Sequence, residues 1–167
     1  MAYFLEALEA RHRRDEFCCG KSDIIDEFCR QDALSDHIAN FTRVKVAVAP
    51  GDDRVLGFHA LTAAILKESR LKYLLGLSHG EQIPAIRLQM FAAVTEHQGG
   101  DLGAVLMRDV FDTAASVAEQ IGACCLCLDA ANDRLATYYG GFDFQRISSK
   151  GLAMYIPIST VRDALAA

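Results

Sequence analysis

Six residues in the middle of the chain, Gln98-Gly99-Gly100-Asp101-Leu102-Gly103, have the composition of an anion-binding loop. They follow an apolar run over 83–94 that predicts a strand, and apolar residues then recur at helical spacing over 102–121. Small residues let the backbone approach a ligand, and the unpaired amides of a first helical turn favour a phosphate. The spacing fits neither the phosphate loop of nucleotide triphosphatases nor the dinucleotide fingerprint, so an ordinary strand-to-helix turn is an equal alternative.

The bulk composition predicts one globular domain over residues 1–167. The chain has 167 residues, of which 51% are hydrophobic and 23% charged. This length suits a single core. No apolar run is long enough for a membrane helix and the N-terminus lacks a signal-peptide pattern, so we expect a cytoplasmic protein without a membrane partner. The net charge of −5 argues against a generally basic nucleic-acid binder and leaves a local basic patch possible.

The six cysteines do not predict a metal site. Cys124 and Cys127 have Cys-x-x-Cys spacing, but no second such pair accompanies them and no histidine cluster lies beside the cysteines in the sequence. Cys124, Cys125 and Cys127 fall in an apolar run that reads as a buried strand. We therefore expect reduced thiols that pack as small hydrophobic side chains.

The remaining elements follow from hydrophobic spacing and turn residues. Ser22 is expected to cap a helix that buries Ile24, Ile25, Phe28 and Cys29, and Gly122 to cap the C-terminus of the helix over 102–121. The other predictions are a half-exposed strand at 43–49, a hairpin partner at 54–65, a loop at 67–82 with Gly76 and Gly80, a buried strand at 124–130, a helix from Asn132 or Asp133 to Tyr139, a strand at 152–158 and a C-terminal helix. This order predicts an α/β fold with a mixed sheet.

Several of these segments carry motifs of one known family. They are Phe17-x-Cys19-Gly20 with Asp26, Phe28 and Ala33 after it, the strand from Arg54 to Leu61, Ile83-Pro84-Ala85-Ile86, the loop Gln98-Gly99-x-x-Leu102-Gly103, and Asn132 with Tyr139 seven residues later. Nearly the whole chain therefore resembles the GNAT acetyltransferase superfamily. More narrowly, it resembles the GNAT-fold toxins of type II toxin–antitoxin systems.

The resemblance implies a GNAT fold, in which a mostly antiparallel central sheet splays between strands four and five and is flanked by helices. It also implies an acetyl-CoA site, with acetyl-CoA as the acetyl donor and no metal. Backbone groups near Ala92, Ala93 and Val94 would take the pantetheine arm, and Asn132 would reach it as well. The pyrophosphate would be held by the amides of the loop, namely Gln98, Gly99, Gly100, Asp101, Leu102, Gly103 and Ala104.

Tyr139 is implied as the general acid that gives its proton to the departing thiolate of coenzyme A. A phenol suits this task because its ordinary pKa of about 10 keeps it protonated near neutral pH. A packed aromatic at a helix end is the structural alternative. Glu96 and His97 are weak candidates for a general base, and an α-amino acceptor, with a pKa near 7.7–8.0, does not require one.

Two residues depart from the family pattern. Asp101 stands at the usual second glycine of the pyrophosphate loop, and Asp143 replaces the glycine of a Gly-Phe pair. A carboxylate at 101 is expected to repel phosphate unless it points outward, and a positive φ there would strain it. We expect the loop to have adjusted around Asp101.

The function implied is an N-acetyltransferase acting on a primary amine, foremost the amino group of an aminoacyl-tRNA. A small amine, a protein amino group, or a non-catalytic acyl-CoA-binding or partner-binding module are the alternatives. The resemblance also implies a ribbon-helix-helix antitoxin and a homodimer as partners. A surface for tRNA would draw on the cations Arg11, Arg13, Arg14, Arg43, Lys45, Lys67, Arg70 and Lys72, whose alternative is dispersed surface charge.

Overall fold

The computed structural model describes residues 1–79 and 81–167 of the chain. The strands are β1 (Phe4–Ala7), β2 (Arg43–Val48), β3 (Gly57–Leu66), β4 (Ile83–Ala93), β5 (Cys125–Asp129), β6 (Gln145–Arg146) and β7 (Ala153–Pro157). The α-helices are α1 (Asp23–Glu27), α2 (Ala33–Ile38), α3 (Ser69–Leu74), α4 (Leu102–Gln120), α5 (Asp133–Gly140) and α6 (Ile158–Ala166). A π-helical segment (Phe28–Asp32) joins α1 to α2, and a short 3-10 turn (Thr95–His97) follows β4.

The described strands form one mixed sheet of seven, in the order β1-β2-β3-β4-β5-β7-β6. The pairs β1–β2, β2–β3, β5–β7 and β6–β7 are antiparallel, whereas β4 and β5 are parallel and are joined by α4. The parallel register runs from Ala85 opposite Cys125 to Arg87 opposite Cys127, and β4 itself continues to Ala93. The predicted α/β fold with a mixed, mostly antiparallel sheet is confirmed.

The chain forms two compact units. One comprises Met1–Thr62 with Gln89–Val110, and the other comprises Ala63–Leu88 with Phe111–Ala167. The core of the first unit includes Phe17, Phe58 and Leu106, and that of the second includes Leu71, Cys125 and Tyr155. A single domain over 1–167 stays a prediction.

The strand β2 is more buried than its sequence suggests. Val44, Val46 and Val48 are buried as expected, but Ala47 on the opposite face is buried as well. The reason is that α4 covers this second face, where Lys45 forms an ion pair with Asp109 of α4. The expectation of a half-exposed strand is therefore wrong.

The helix capped by Ser22 forms as predicted, with the Ser22 hydroxyl accepting a hydrogen bond from the Ile25 amide. Its buried face differs, because Asp26 turns inward and accepts a hydrogen bond of 2.8 Å from the Cys19 amide. Phe28 and Cys29 share that inner side, whereas Ile24 is 73% exposed. The predicted burial of Ile24 is wrong for this reason.

Other boundaries also differ from the sequence pattern. The helix α3 occupies part of the loop predicted at 67–82, and Gly80 of that loop lies outside the described residues. The edge strands β1 and β6 are too short to show a period. The helix α4 ends at Gln120, and Gly122 is not among the residues with positive φ, so its predicted capping role is wrong.

Candidate active site

The loop before α4 carries a row of open backbone amides. Gly99 adopts a φ of +78°, which reverses the chain, and the Val105 amide donates the first helical hydrogen bond to the Asp101 carbonyl at 3.0 Å. Within residues 1–79 and 81–167, none of the amides from Gly99 to Ala104 donates to a protein acceptor. Such donors need water or an anion, and the positive end of the helix dipole favours an anion. The loop therefore has the chemistry of an anion site, and its role in binding a pyrophosphate stays a prediction.

The Gln98 side chain links this loop to the Cys18–Cys19 segment and to the end of β4. Its side-chain amide donates to the Cys19 carbonyl at 2.7 Å and to the Ala93 carbonyl at 2.9 Å, and its backbone amide donates to Thr95. The Thr95 amide in turn donates to the Cys18 carbonyl at 3.2 Å. Because both donor groups of Gln98 are already used, Gln98 supports the loop and adds no open amide to it.

The Phe17-x-Cys19-Gly20 motif supplies this support, a role that its residue types alone do not indicate. Gly20 has a φ of +70°, and a Cβ at this position would lie 3.0 Å from the Thr95 hydroxyl oxygen. A glycine is thus needed both for the turn and for the close approach to the segment after β4. The motif itself is visible in the sequence, but its partner is known only from the fold.

The three strand residues predicted to take the pantetheine arm are not equivalent. The Val94 amide donates to Leu56 at 2.8 Å, and the Val94 carbonyl accepts from His97. Since backbone groups alternate between the two edges of a strand, Ala92 also presents its groups toward β3. Ala93 presents its groups to the other edge, where its carbonyl accepts from Gln98. Of the three, Ala93 is therefore the best placed to add a ligand to β4.

Asp101 fits its position without backbone strain. It is not among the residues with positive φ, so the strain that a positive φ would cause does not arise, whereas Asp143 does adopt a φ of +72°. The Asp101 carboxylate acts on Tyr3, because burial first and then this charge raise the pKa of the Tyr3 phenol. The Tyr3 hydroxyl lies 2.9 Å from Nδ1 of His97, so the N-terminal segment packs beside the loop. No sequence signal points to this role of Tyr3.

Tyr139 lies on α5 and Asn132 directly precedes this helix, both in the second unit. Asn132 is the N-cap, and its side-chain oxygen accepts from the Leu135 amide at 2.9 Å. The Tyr139 ring is half-buried and contacts Phe144 edge-on, with ring centroids 6.0 Å apart. Burial, with a smaller effect of Tyr138, raises the pKa of Tyr139 to about 12. The phenol therefore stays protonated throughout the physiological range.

Neither candidate for a general base gains support. Glu96 forms an ion pair of 2.9 Å with Arg54, and its pKa is lowered by a backbone hydrogen bond and by that pair. His97 has one ring nitrogen engaged by Tyr3. A carboxylate stabilised in its charged form is a weak base, so the site offers no strong proton acceptor at these positions.

The cysteines are all free thiols. Burial raises the pKa of Cys29 and Cys125 to about 12 and that of Cys127 to about 11, so these thiols remain protonated and unreactive. In the part of the chain that the structure describes, no three His, Cys, Asp or Glu side chains are grouped as a metal would require. Likewise, none of the described helices combines the length and the apolar character that crossing a membrane requires.

Curated proteins similar to this chain include two toxins. A probable toxin TacT of Sinorhizobium fredii is 28% identical over 165 residues, which is 93% of this chain and 90% of that protein. A tRNA-acetylating toxin of Mycobacterium tuberculosis is 28% identical over 121 residues, or 72% of each chain. No protein-family model matches the sequence.

Solved structures share the fold over nearly the whole chain. A bacterial toxin superposes with a TM-score of 0.91 at 19% identity, covering 99% of this chain and 96% of that one. AtaT complexed with acetyl-methionyl-tRNAfMet superposes with a TM-score of 0.87 at 20% identity, covering 98% and 99% of the two chains. AtaTR bound with acetyl-CoA gives 0.84 at 20% identity and covers 97% of each.

The chain resembles the GNAT toxins. This confirms the resemblance predicted from the motifs. The loop motif of that resemblance coincides with the open amides, and the Asn-Tyr motif coincides with the cap and the half-buried phenol of α5. The residue roles themselves stay predictions.

Removing the charge of Asp101 is expected to tighten acetyl-CoA binding. Asp101→Asn keeps the size of the side chain and removes a carboxylate next to the open amides, and such a charge at about 4 Å in water is worth about 1 kcal/mol, or roughly 5-fold in Kd. Calorimetry at low salt measures the change, with Asp112→Asn on the same helix as a control for net charge. Clearly weaker binding by Asp101→Asn than by the wild type would contradict the expectation.

Proposed function

We propose that this chain is an N-acetyltransferase that moves the acetyl group of acetyl-CoA to the amino group of an aminoacyl-tRNA, and that it acts as the toxin of a toxin–antitoxin pair. The observation that carries this proposal is the row of open amides from Gly99 to Ala104 ahead of α4. Support for the acceptor comes from the names of the relatives, a tRNA-acetylating toxin and AtaT complexed with acetyl-methionyl-tRNAfMet.

In this proposal the loop amides bind the pyrophosphate of acetyl-CoA. Gly99 and Gly100 suit a close backbone approach, since a Cβ at either position would meet nothing within 4 Å and the space beside the amides is open. Ala93 presents its backbone amide for the pantetheine arm at the strand edge away from β3, where its carbonyl already accepts from Gln98. Asn132 keeps its side-chain nitrogen as a donor for the same arm, because the cap uses its oxygen.

Tyr139 holds the proton that the departing sulfur requires. When bound, acetyl-CoA supplies an activated acyl group as a thioester, and the thiol released from it has an ordinary pKa near 8.5. A phenol whose pKa is about 12 is a weaker acid than that thiol. Proton transfer from Tyr139 therefore stays uphill even to a fully charged sulfur. Tyr139 acts mainly as a hydrogen-bond donor to the departing sulfur, and any proton that it gives up is replaced by the proton that the acceptor nitrogen loses as the amide forms.

The acceptor amine enters as the free base. An α-amino group has a pKa near 7.7–8.0, and esterification of the carboxylate lowers it further, whereas a lysine side chain stays charged with a pKa near 10.4. Because Glu96 is held in its ionised form by Arg54, an acceptor that is already neutral fits this site better than a lysine. This chemistry favours the aminoacyl ester over a protein lysine.

The toxin assignment implies an antitoxin as a partner, and AtaT has been solved bound to the C-terminus of the antitoxin AtaR. A ribbon-helix-helix protein and a homodimer remain the expected partners of this chain. The reaction is placed in the cytoplasm because charged tRNAs are used there.

The acetylation reaction itself tests the proposal. Purified chain is incubated with isotope-labelled acetyl-CoA and charged tRNA, and the released amino acids are examined by mass spectrometry. Deacylated tRNA, a lysine peptide and a small amine serve as alternative acceptors. Labelled N-acetyl-amino acid is the expected product. Acetyl transfer to the peptide or the small amine alone would replace the tRNA proposal, and tight acetyl-CoA binding without transfer to any acceptor would make the chain a non-catalytic binder.

Replacing the phenol should separate catalysis from binding. Tyr139→Phe is expected to lower kcat by roughly 100-fold or more, as loss of a general acid does, with acetyl-CoA affinity retained. Tyr138→Phe is the matched control, because Tyr138 is the neighbouring tyrosine and is 43% exposed. A Tyr139→Phe enzyme with wild-type kcat, or equal losses in both variants, would rule out the catalytic role.

The pH dependence of kcat/KM should reflect the titration of the acceptor amine and not that of the Tyr139 phenol. Because burial raises the pKa of Tyr139, its proton is present at every pH below about 12 and is lost only above that value. We therefore expect kcat/KM to rise with pH through the pKa of the acceptor amine, below about 8, and then to stay level to about pH 10. A descending limb between about pH 8 and 10 that disappears in Tyr139→Phe would contradict this expectation.

The cations expected to face tRNA differ in how they are used. Arg11 pairs with Glu6, Glu9 and Asp53, and Arg13 pairs with Asp52 at 2.6 Å. By contrast, Lys67 precedes α3 and Lys72 lies on it, and neither takes part in the ion pairs found among the described residues. Tyr73, next to Lys72 on α3, is 83% exposed. Free cations beside an exposed aromatic ring suit an RNA backbone and its bases.

We therefore expect α3 to contribute more to tRNA binding than the N-terminal arginines. Lys67→Gln/Lys72→Gln should raise the KM for charged tRNA and flatten the salt dependence of log(kcat/KM) by roughly 0.7 to 0.9 per lost phosphate contact. Arg11→Gln/Arg13→Gln removes the same charge and serves as the matched control. Equal salt slopes in the two double variants would contradict a special role of α3.

A further inference from the structure

A buried polar cluster joins α4 to the sheet within the first unit. Nε2 of His59 on β3 lies 2.6 Å from one carboxylate oxygen of Asp109, and Nζ of Lys45 on β2 lies 3.0 Å from the other. His59 and Lys45 are directly opposite each other in the β2–β3 register. Only 1% of the His59 side chain and 18% of the Asp109 side chain are exposed. One carboxylate of the helix is thus held by two adjacent strands.

The same face of β3 also packs closely on the start of α4. A Cβ at Gly57, two residues before His59, would lie 3.0 Å from Leu106 and 3.1 Å from Leu102. Residues two apart on a strand share a face, so Gly57 and His59 contact successive turns of the helix. The apolar contact sets how close the helix lies, and the polar contact sets its position along its own axis, because hydrogen bonds are directional.

The cluster is not optimised for stability alone. Nδ1 of His59 is buried and has no hydrogen-bond partner within the described residues. Burial would raise the pKa of Asp109, but the hydrogen bonds from His59 and Lys45 outweigh it, so the pKa is lowered and the carboxylate is ionised. Buried ion pairs can often be replaced by apolar side chains without loss of stability, and their retention is best explained where geometry matters.

The geometry that matters in this cluster is the start of α4. Asp109 lies about 10 Å along the helix axis from Leu102, at a rise of about 1.5 Å per residue. An α-helix is stiff over that length, so a shift of Asp109 along the axis moves the open amides of the first turn by a similar amount. A misplacement of about 1 Å in an active site can lower catalytic efficiency by roughly 100-fold.

We propose that His59 and Asp109 are positioning residues, which hold α4 at the axial position where the amides from Gly99 to Ala104 fit a diphosphate. This inference rests on the proposed function, because the diphosphate is that of acetyl-CoA. Neither residue touches the donor. Their effect is therefore confined to donors that carry the diphosphate.

The test compares acetyl-CoA with acetyl-pantetheine, which has the same thioester but no diphosphate. In His59→Leu/Asp109→Leu the two most buried members of the cluster are replaced by apolar side chains of similar size. Lys45, whose side chain is 37% exposed, keeps its access to solvent, so we expect the Tm to be unchanged or raised. The KM for acetyl-CoA should rise by roughly 10- to 100-fold, while kinetics with acetyl-pantetheine stay within about 2-fold of the wild type. Calorimetry with coenzyme A and with pantetheine gives the same comparison without turnover.

Two further variants keep the test decisive. Asp109→Asn retains an oxygen that accepts from His59 and should recover most of the affinity lost in Asp109→Leu, even if the double variant does not fold. Asp52→Asn removes an exposed ion pair elsewhere in the unit and should change the affinity for neither donor. Equal losses with both donors, or wild-type acetyl-CoA affinity in a folded double variant, would overturn the inference. A wild-type chain that does not bind coenzyme A would instead refute the proposed function.

Discussion

The first turn of α4 begins with backbone amides that pair with no acceptor in the described part of the chain. A helix always has such donors at its N-terminus, and most chains satisfy them with a capping side chain. In this chain the open row extends back through Gly99 and Gly100, because the positive φ of Gly99 turns the loop before the helix starts. An anion can accept hydrogen bonds from this row of amides. The surrounding contacts fix the position of the row.

Three kinds of contact hold the row, and each uses different physics. Gln98 ties the loop to the Cys19 carbonyl through directional hydrogen bonds. Gly57 allows the helix to pack on β3 at a distance that any larger residue would prevent. Asp109 fixes the helix along its axis through His59 and Lys45. The Tyr139 phenol lies in the second unit, where it contacts Phe144 and burial raises its pKa to about 12.

The sequence predicts those parts of the molecule whose signal is local. Four such features can be recognised in the sequence because each depends on spacing within one element. They are the alternating valines of β2, the apolar run of β4, the helical periodicity of α4 and the cap at Asn132. The edge strands β1 and β6 have only four and two residues, which is too short for an alternating hydrophobic pattern to show. Their strand conformation depends on pairing with neighbouring strands. The burial of Ile24 is mispredicted because the inward turn of Asp26 depends on the distant Cys19 amide.

The same distinction holds for the candidate site. Loop composition indicates an anion site, but φ at Asp101 and the use of Gln98 as a brace depend on contacts with the N-terminal segment. Asp109 does leave a signal, since it is a carboxylate on the face of α4 that also carries Leu102 and Leu106. Its partner His59 is fifty residues away in the chain, as the hydrogen bond shows. Spacing alone could not join them.

Amide NMR of the isotope-labelled chain would probe the open row most directly. On addition of coenzyme A, the amide resonances from Gly99 to Ala104 should shift downfield and exchange more slowly with solvent, whereas pantetheine should leave them unchanged. Saturable binding of coenzyme A that leaves all of these resonances in place would mean that the diphosphate lies elsewhere, and that the start of α4 is not its binding site.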